Sequence, residues 1–170
     1  MAILLLLLAL LGLGAATSVQ GPSEPARLRP PALELVSEAG TQRAAQGSYC
    51  VTGPESGECA DVAAPVVPER ASVVRPGEVV TIVVVGAEAV DGTAFVHRAG
   101  CEEELLTVEL RPETRWRVEV EPGAYELRLF TTFEAGSTSG DVSGVLGLVV
   151  DAAAPLEVRP AGAPAVCETP

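Results

Sequence analysis

Residues 114–129 read TRWRVEVEPGAYELRL, and they alternate between apolar and charged side chains on both sides of a Pro-Gly turn signal. Successive side chains of a β-strand point to opposite faces of a sheet, so this period predicts two strands with one apolar face each. Before the turn, Trp116, Val118 and Val120 share a face, and after it Tyr125 begins a second apolar series. We therefore expect Trp116 and Tyr125 in the core of an all-β domain.

These two strands do not suit a tight hairpin across the Pro-Gly turn. Such a hairpin would place Glu119 opposite Glu126 and Arg117 opposite Arg128, and like charges directly opposite each other are unfavourable. A connection that crosses between two sheets avoids both pairs. Immunoglobulin-like sandwiches have a tyrosine corner at such a crossing, and residues 122–125, PGAY, fit it, with the tyrosine hydroxyl bonded to nearby backbone.

Short alternating runs recur along the chain, separated by turn signals every 8 to 15 residues. This spacing is typical of a β-sandwich or a barrel, and no run has the sustained period of a helix. The predicted fold class is all-β, an immunoglobulin-like antiparallel β-sandwich of about seven to eight strands. The candidate strands are Leu33–Ser37, Gly47–Val51, Val79–Val85, Thr93–Arg98, Leu105–Leu110, Thr114–Val120, Tyr125–Phe133 and Val142–Asp151.

Residues 1–18 have the plan of a secretory signal peptide. An apolar block of about 12 residues precedes a run of small residues, whereas a membrane span needs about 20. Cleavage is expected after Ala16 or Ser18, and retention as an uncleaved anchor is the alternative. Cleavage would leave a secreted or cell-envelope protein, outside the cytoplasm and without stable insertion in a membrane.

The rest of the chain divides by composition into three parts. Residues 19–45 are interpreted as a Pro-rich linker with a candidate edge strand, and residues 46–151 as the β-sandwich domain. Residues 152–170 are an Ala/Pro-rich tail, in which residues 156–158 form a candidate short strand. We expect Cys167 to pin this tail to the domain.

Cysteine usage indicates disulfides, because an even number of cysteines is typical of small exported domains. Of the three pairings open to Cys50, Cys59, Cys101 and Cys167, we favour Cys50 with Cys59 and Cys101 with Cys167. The first pair flanks turn residues that let the chain fold back. Chain entropy predicts about 2.7 kcal/mol for the short loop and about 4.4 kcal/mol for the long one. A zinc site is the competing interpretation, but the chain has no C-x-x-C motif.

The chain is strongly acidic, with a net charge of -12, and all eleven basic residues are arginine. This charge repels phosphate backbones and anionic lipid headgroups, so nucleic acid is excluded as a partner. The simplest role of the charge is solubility outside the cell, and an acidic patch for a cation or a basic partner is the alternative. The absence of Lys and Asn indicates the codon bias of a GC-rich, bacterial genome.

A search for chemical motifs finds no catalytic, cofactor-binding or metal-binding set. His97 is the only histidine, and a strand position facing opposite to Val96 predicts that it lies on the surface. Residues 136–140 read GSTSG, with Thr where a hydrolase elbow has its nucleophilic Ser. Residues 102–104 are three adjacent Glu, which we interpret as a solvated turn because a strong Ca²⁺ site spaces its ligands around a loop. We therefore predict a protein that is not an enzyme and needs no cofactor.

Short motifs mark the predicted domain. Residues 47–50 read GSYC, residues 59–61 read CAD, a Pro-Gly pair precedes the strand from Val79, and Gly-Asp at 140–141 precedes the last strand. With the Pro-Gly-x-Tyr segment, these motifs resemble a group of small exported bacterial domains over about residues 45–151. The resemblance implies an immunoglobulin-like sandwich and no assigned function.

Two functions remain open at this point. The leading hypothesis is a non-catalytic exported binding or structural module whose partner is an unknown protein or envelope component. The alternative is a secreted protease inhibitor that presents the loop between Cys50 and Cys59. A disulfide-tethered loop is pre-organised, which lowers the entropy cost of binding, although a staple for a thinly packed edge explains the same loop.

Overall fold

The computed structural model of the protein describes residues 28–63, 65–162 and Cys167, and it describes Ala89 and Val90 by their backbone alone. The predicted signal peptide, residues 1–18, lies outside the described residues. Within them, the chain forms twelve β-strands and no helix. The strands are β1 Ala32–Ser37, β2 Gly40–Arg43, β3 Ala45–Thr52, β4 Gly57–Ala60, β5 Arg70–Val74, β6 Val79–Val85, β7 Glu88–Arg98, β8 Glu104–Leu110, β9 Thr114–Arg117, β10 Gly123–Ala135, β11 Thr138–Val150 and β12 Val158–Pro160.

The strands form two sheets that enclose one core. The small sheet has the order β2-β1-β6-β9. The large sheet has the order β12-β5-β11-β10-β7-β8, and β3 joins it by pairing with β11 on one side and β4 on the other. Neighbouring strands are antiparallel except β5 and β11, which run parallel over four residue pairs. The all-β prediction is confirmed, and the strands outnumber the seven to eight expected.

The inner faces of the two sheets follow the period-two pattern of the sequence. On β9 and the residues after it, Trp116 and Val118 are buried in the core, whereas Arg115 and Arg117 are exposed. On β10, the core residues are Tyr125, Leu127, Leu129 and Phe133. Alternation therefore gives each sheet one apolar face, and the two faces together make the core.

The connection from β9 to β10 crosses between the sheets, as the like charges on the two strands predict. β9 pairs with β6 in the small sheet, whereas β10 lies between β7 and β11 in the large sheet. At the crossing, the buried Tyr125 donates its hydroxyl hydrogen to the Glu121 carbonyl oxygen at 2.6 Å. This is the backbone contact expected of a tyrosine corner.

The longest hairpin of the fold joins β10 to β11, each of 13 residues. Its loop consists of Gly136 and Ser137, and Gly136 has a φ of 61°. A type II′ turn requires a positive φ at this first loop position, which glycine adopts without steric cost. The hairpin places β10 and β11 side by side along the middle of the large sheet.

The described domain is larger than residues 46–151. β1 and β2 fall in the predicted linker, and β1 is an inner strand of the small sheet rather than an edge strand. β2, β4 and β5 were not among the candidate strands, and β12 pairs with β5 slightly beyond the strand expected in the tail. These short segments are strands because a neighbour supplies their hydrogen bonds, and their own patterns are weak.

Both disulfides have the predicted pairing. Cys50 bonds to Cys59, with 4.1 Å between their Cα atoms, and these residues are directly opposite on β3 and β4. Cys101 bonds to Cys167 across a separation of 66 residues. The second bond fixes the tail to the turn that follows β7, next to the large sheet.

Candidate functional site

The outer face of the large sheet carries a buried carboxylate, Glu126. β10 presents Glu126, Arg128 and Phe130 on the face opposite to its core residues. Phe130 is exposed, but only 8% of Glu126 is accessible to solvent. Charged residues are seldom buried this far unless they are paired, so this end of the face is built differently from an ordinary solvated surface.

Glu126, Arg128 and Glu102 form a connected ion-pair cluster. Arg128 donates two hydrogen bonds to the Glu102 carboxylate, at 3.0 and 3.4 Å, and lies 3.5 Å from Glu126 Oε2. The Gly100 N–H donates to Glu126 Oε1 at 3.3 Å. Both contacts of Glu126 are longer than the usual 2.7–3.2 Å of such bonds. The cluster therefore fixes the Arg128 guanidinium and leaves the buried carboxylate with two long contacts.

Electrostatics within the cluster follow from the two bonds of Arg128. Hydrogen bonding to Arg128, and then its positive charge, hold the pKa of the Glu102 carboxyl below its ordinary value. Hydrogen bonding to Glu102 in turn raises the pKa of Arg128. The Glu102 side chain is 90% exposed, so solvent screens this attraction and the pair orients the guanidinium more than it stabilises the fold.

His97 is buried, which corrects the expectation of a surface position. It pairs directly with Glu126 across the β7–β10 ladder, and only 7% of it is exposed. Its Nδ1 atom is buried and has no hydrogen-bond partner within the described residues. The sequence pattern correctly puts His97 on the outer face, but it does not reveal that other parts of the chain cover this end of the face.

One cover is the segment after β4, residues 61–63 and 65–68, which leads from β4 toward β5 and lines cavities on the outer face. Ser48 Oγ accepts a hydrogen bond from the Val62 N–H at 2.9 Å and donates one to Asp61 Oδ1 at 2.7 Å. Ser143 Oγ donates to the Ser48 carbonyl at 2.9 Å, so β3 and β11 share the anchor. A Cβ at Gly47 would lie 2.5 Å from Ser143 Oγ, so a larger residue there would displace this hydroxyl. The segment is thereby held in place at its beginning.

A groove of about 610 Å³ lies between this segment and the turn of residues 100–102. Its floor contains Ser143, Gly144 and Val145 of β11 together with Glu126 and Arg128 of β10. Small side chains on the floor leave room above the sheet, and the charged pair stands at one side. The groove thus offers a fixed guanidinium and carboxylate beside an apolar surface, an arrangement suited to recognising a polar group on a partner.

An apolar pocket of about 230 Å³ adjoins the groove. The two cavities share Val67 and Glu126 in their linings. The other walls of the pocket come mostly from residues of the large sheet and from tail residues 159–162, which are the end of β12 and the two residues after it. The tail that Cys167 pins is therefore part of the wall of a cavity.

The loop between Cys50 and Cys59 is a short hairpin turn. Only residues 53–56 lie between the paired ends of β3 and β4, and the Gly53 N–H donates to the Ser56 carbonyl at 2.7 Å. Tyr49 Oη donates to Glu58 Oε1 at 3.2 Å beside the disulfide. The turn is exposed, and the hydrogen bond between Gly53 and Ser56 closes it.

No group of three or more His, Cys, Asp and Glu residues is placed to hold a metal ion in the part of the chain that the structure describes. Nor do those residues include a helix that could cross a membrane. Protein-family models, curated proteins and solved structures give no significant match to this chain. The covered end of the large sheet is the best-supported candidate site, because it combines the buried Glu126, the paired Arg128 and the groove. Sequence reasoning missed Glu126 and Arg128 there, although they are the polar members of an amphipathic strand.

Proposed function

We propose that the protein is a non-catalytic exported binding module, an immunoglobulin-like sandwich of the cell envelope or the medium, which engages its partner through the groove on the large sheet. The observation that carries this proposal is the groove itself, in which Arg128 and the buried Glu126 face a wall anchored by Ser48. A site that is formed before binding loses less conformational entropy when the partner arrives.

Export is supported by the two disulfides, which are typical of oxidising compartments outside the cytoplasm. The secretory pattern of residues 1–18 and the net charge of -12 agree with this location. A bacterial origin rests on the arginine-only composition and on the resemblance to exported bacterial domains.

Arg128 is the polar anchor of the proposed interface. Its guanidinium presents a planar fork that matches a carboxylate or another acceptor of a partner. Glu102, which occupies that fork in the free protein, is 90% exposed and returns to water when it is displaced. Exchange of this acceptor for one on the partner therefore costs little, and the apolar floor beside it adds buried area.

Two exposed valines allow a matched test of the groove. Val67 lines the groove and is 63% exposed, whereas Val36 lies on the small sheet and is 40% exposed. Wild type, Val67→Arg and Val36→Arg are immobilised and incubated with envelope and medium fractions of the producing cells. We expect a saturable component to be retained by wild type and Val36→Arg and to be lost by Val67→Arg.

The proposal fails if Val67→Arg retains the same component as wild type, or if no component is retained saturably by wild type. Circular dichroism of the three proteins is the control for folding, because both substitutions are at exposed positions. Equal spectra with unequal retention would locate binding at the groove rather than at the surface in general.

A secreted protease inhibitor is the second candidate, favoured by the exposed loop that the Cys50–Cys59 disulfide tethers. Inhibitors that enter an active site like a substrate present an extended segment, and the closed turn of residues 53–56 does not supply one. Incubation of the domain with a panel of extracellular proteases separates the two candidates. We expect no inhibition at micromolar concentration, and inhibition that is lost in Pro54→Gly would favour the second candidate.

A further inference from the structure

The edge strands of the two sheets differ in length. β2, β4 and β9 have four residues each and β12 has three, whereas β8 has seven. β8 pairs with β7 on one side, and no strand among the described residues pairs with its other side. Natural proteins keep open edges short or interrupt them with proline, but β8 contains neither Pro nor Gly. Thr114 Oγ1 donates to the Glu109 carbonyl at 3.4 Å, and the other N–H and C=O groups on this side face no strand of the described residues. They are therefore a template for another strand.

The two faces of β8 define what an added strand must present. Leu106 and Val108 are half-buried at the margin of the core, while Thr107 and Glu109 are exposed on the outer face. The pairing with β7 shifts register between Val96 and His97, which leaves residues 106–110 as the regular part of the ladder. An added strand would place apolar side chains beside Leu106 and Val108 and polar ones beside Thr107 and Glu109.

Charge determines which strand this edge accepts. Residues 102–113 include five glutamates and one arginine, for a local charge of -4, and all six are exposed. A second copy of the chain would bring the same charges to the edge, and each copy carries a net charge of -12. Like charges across a ladder are unfavourable, so the edge resists self-association and remains open to a strand of opposite charge.

We propose that β8 binds an extended basic segment of a partner protein, which adds to the large sheet as a further strand. Backbone hydrogen bonds to β8 supply the affinity, and lysine or arginine beside Glu104 and Glu109 supplies the selectivity. No residue of β8 lines the groove, so the inference goes beyond the proposed function. It assigns to the acidic charge a role in recognition in addition to solubility.

The probe is a short capped peptide of alternating lysine and valine with a fluorescent label. We expect saturable binding by anisotropy, and slower amide hydrogen exchange that is confined to β8 and strongest at residues 106–110. Affinity should fall as salt is raised, because the Debye length decreases from about 10 Å at 0.1 M to about 3 Å at 1 M. A peptide with glutamate in place of lysine, and one with N-methylated backbone amides, should not bind.

Matched charge variants show where the peptide binds. Glu104→Gln with Glu109→Gln removes two charges from the edge and keeps an acceptor oxygen for Thr107, which donates to Glu104. Glu55→Gln with Glu157→Gln removes two exposed charges far from β8 along the large sheet. The first pair should weaken binding by roughly fivefold, the scale of two exposed ion pairs, and the second should leave it nearly unchanged.

Equal weakening by the two double variants would overturn the proposal, because it would mean attraction to the net charge alone. The proposal would also be overturned if the peptide left amide hydrogen exchange at β8 unchanged, or if the N-methylated peptide bound as tightly as the unmethylated one. If the amides of β8 are protected from hydrogen exchange in the free protein at high concentration, and sedimentation shows dimers, the edge binds a second copy of the chain instead. Val67→Arg should bind the peptide like wild type, so failure of the groove and failure of the edge are distinguishable.

Discussion

The outer faces of the two sheets differ in how much of their side-chain surface is exposed to solvent. On the small sheet, Thr81 of β6 lies between Val36 of β1 and Arg115 of β9 and pairs with both. These three side chains form a row on the outer face, and each is partly or fully exposed. On the large sheet, Glu126 is only 8% exposed and His97 only 7%. Polar side chains on the outer face of the small sheet are therefore open to water, whereas those at one end of the outer face of the large sheet are buried.

The difference comes from two segments that lie against the large sheet and are fixed by specific bonds. Hydrogen bonds of Ser48 to Asp61 and Val62 anchor the segment after β4, and the Cys101–Cys167 disulfide pins the tail beside β12. The small sheet is held mainly by its inner face, whereas the large sheet has packing on both faces. This is why the groove and the apolar pocket lie on the large sheet, and why we propose that the binding site is there.

Removing the disulfide that pins the tail should expose the outer face of the large sheet more than any other change, so that it resembles the outer face of the small sheet. Cys101→Ser with Cys167→Ser should lower the free energy of unfolding by about 4.4 kcal/mol, because the unfolded chain gains loop entropy. β12 has only three residues to hold the tail, so the apolar pocket that tail residues 159–162 line should open. Urea unfolding measures the loss, and an increase in ANS fluorescence measures the opening.

The other disulfide is the control for this experiment. Cys50→Ser with Cys59→Ser should cost about 2.7 kcal/mol without an increase in ANS fluorescence, because that loop lines neither cavity. An equal ANS response from both double variants would mean general loosening of the sandwich. The tail would then not be a specific cover of the large sheet.

The small sheet should depend on its inner face for stability. Trp116 is 9% exposed and packs in the shared core, so Trp116→Ala should lower the free energy of unfolding by about 4 kcal/mol. In the native wild-type protein, tryptophan emission should be blue-shifted and poorly quenched by iodide. Free quenching and emission like that of indole in water would place Trp116 outside the core.

Arg115, the residue before Trp116, gives the matched control on the outer face. It is exposed, so Arg115→Ala should change the free energy of unfolding by no more than about 0.5 kcal/mol. A large loss from Arg115→Ala would mean that the small sheet also relies on its outer face, and the contrast between the two sheets would not hold.

Local pattern was enough to predict the inner faces. The alternation around Trp116 and Tyr125 predicts their burial, and the like charges at 119 and 126 predict the crossing between sheets, because both are properties of neighbouring residues. β2 and β4 were missed since sequences such as GTQR and GECA carry no apolar alternation. They become strands only through the hydrogen bonds that β1 and β3 offer.

The outer face could be predicted only in part. Alternation places Glu126, Arg128 and His97 opposite to the core residues, as the structure does. Their burial depends on contacts between distant parts of the chain, such as Val62 with Ser48 and Cys101 with Cys167. A residue pattern with a period of two carries no information about which segment crosses a sheet, so the cover, the groove and the buried His97 were missed.

The smallest effect expected is on the titration of Glu102, where the cluster of the large sheet meets water. Its pKa is lowered chiefly by hydrogen bonding to Arg128, so the pair stabilises the fold at neutral pH and this contribution is lost as the pH falls through the lowered pKa. Arg128→Gln should therefore raise the Glu102 midpoint in a carbon-detected NMR titration. Arg75→Gln, which removes the 3.7 Å ion pair with Glu38 beside the small sheet, should leave that midpoint in place. An unchanged midpoint in Arg128→Gln would mean that the fork is not bound to Glu102 in solution, and the groove would then lack its fixed guanidinium.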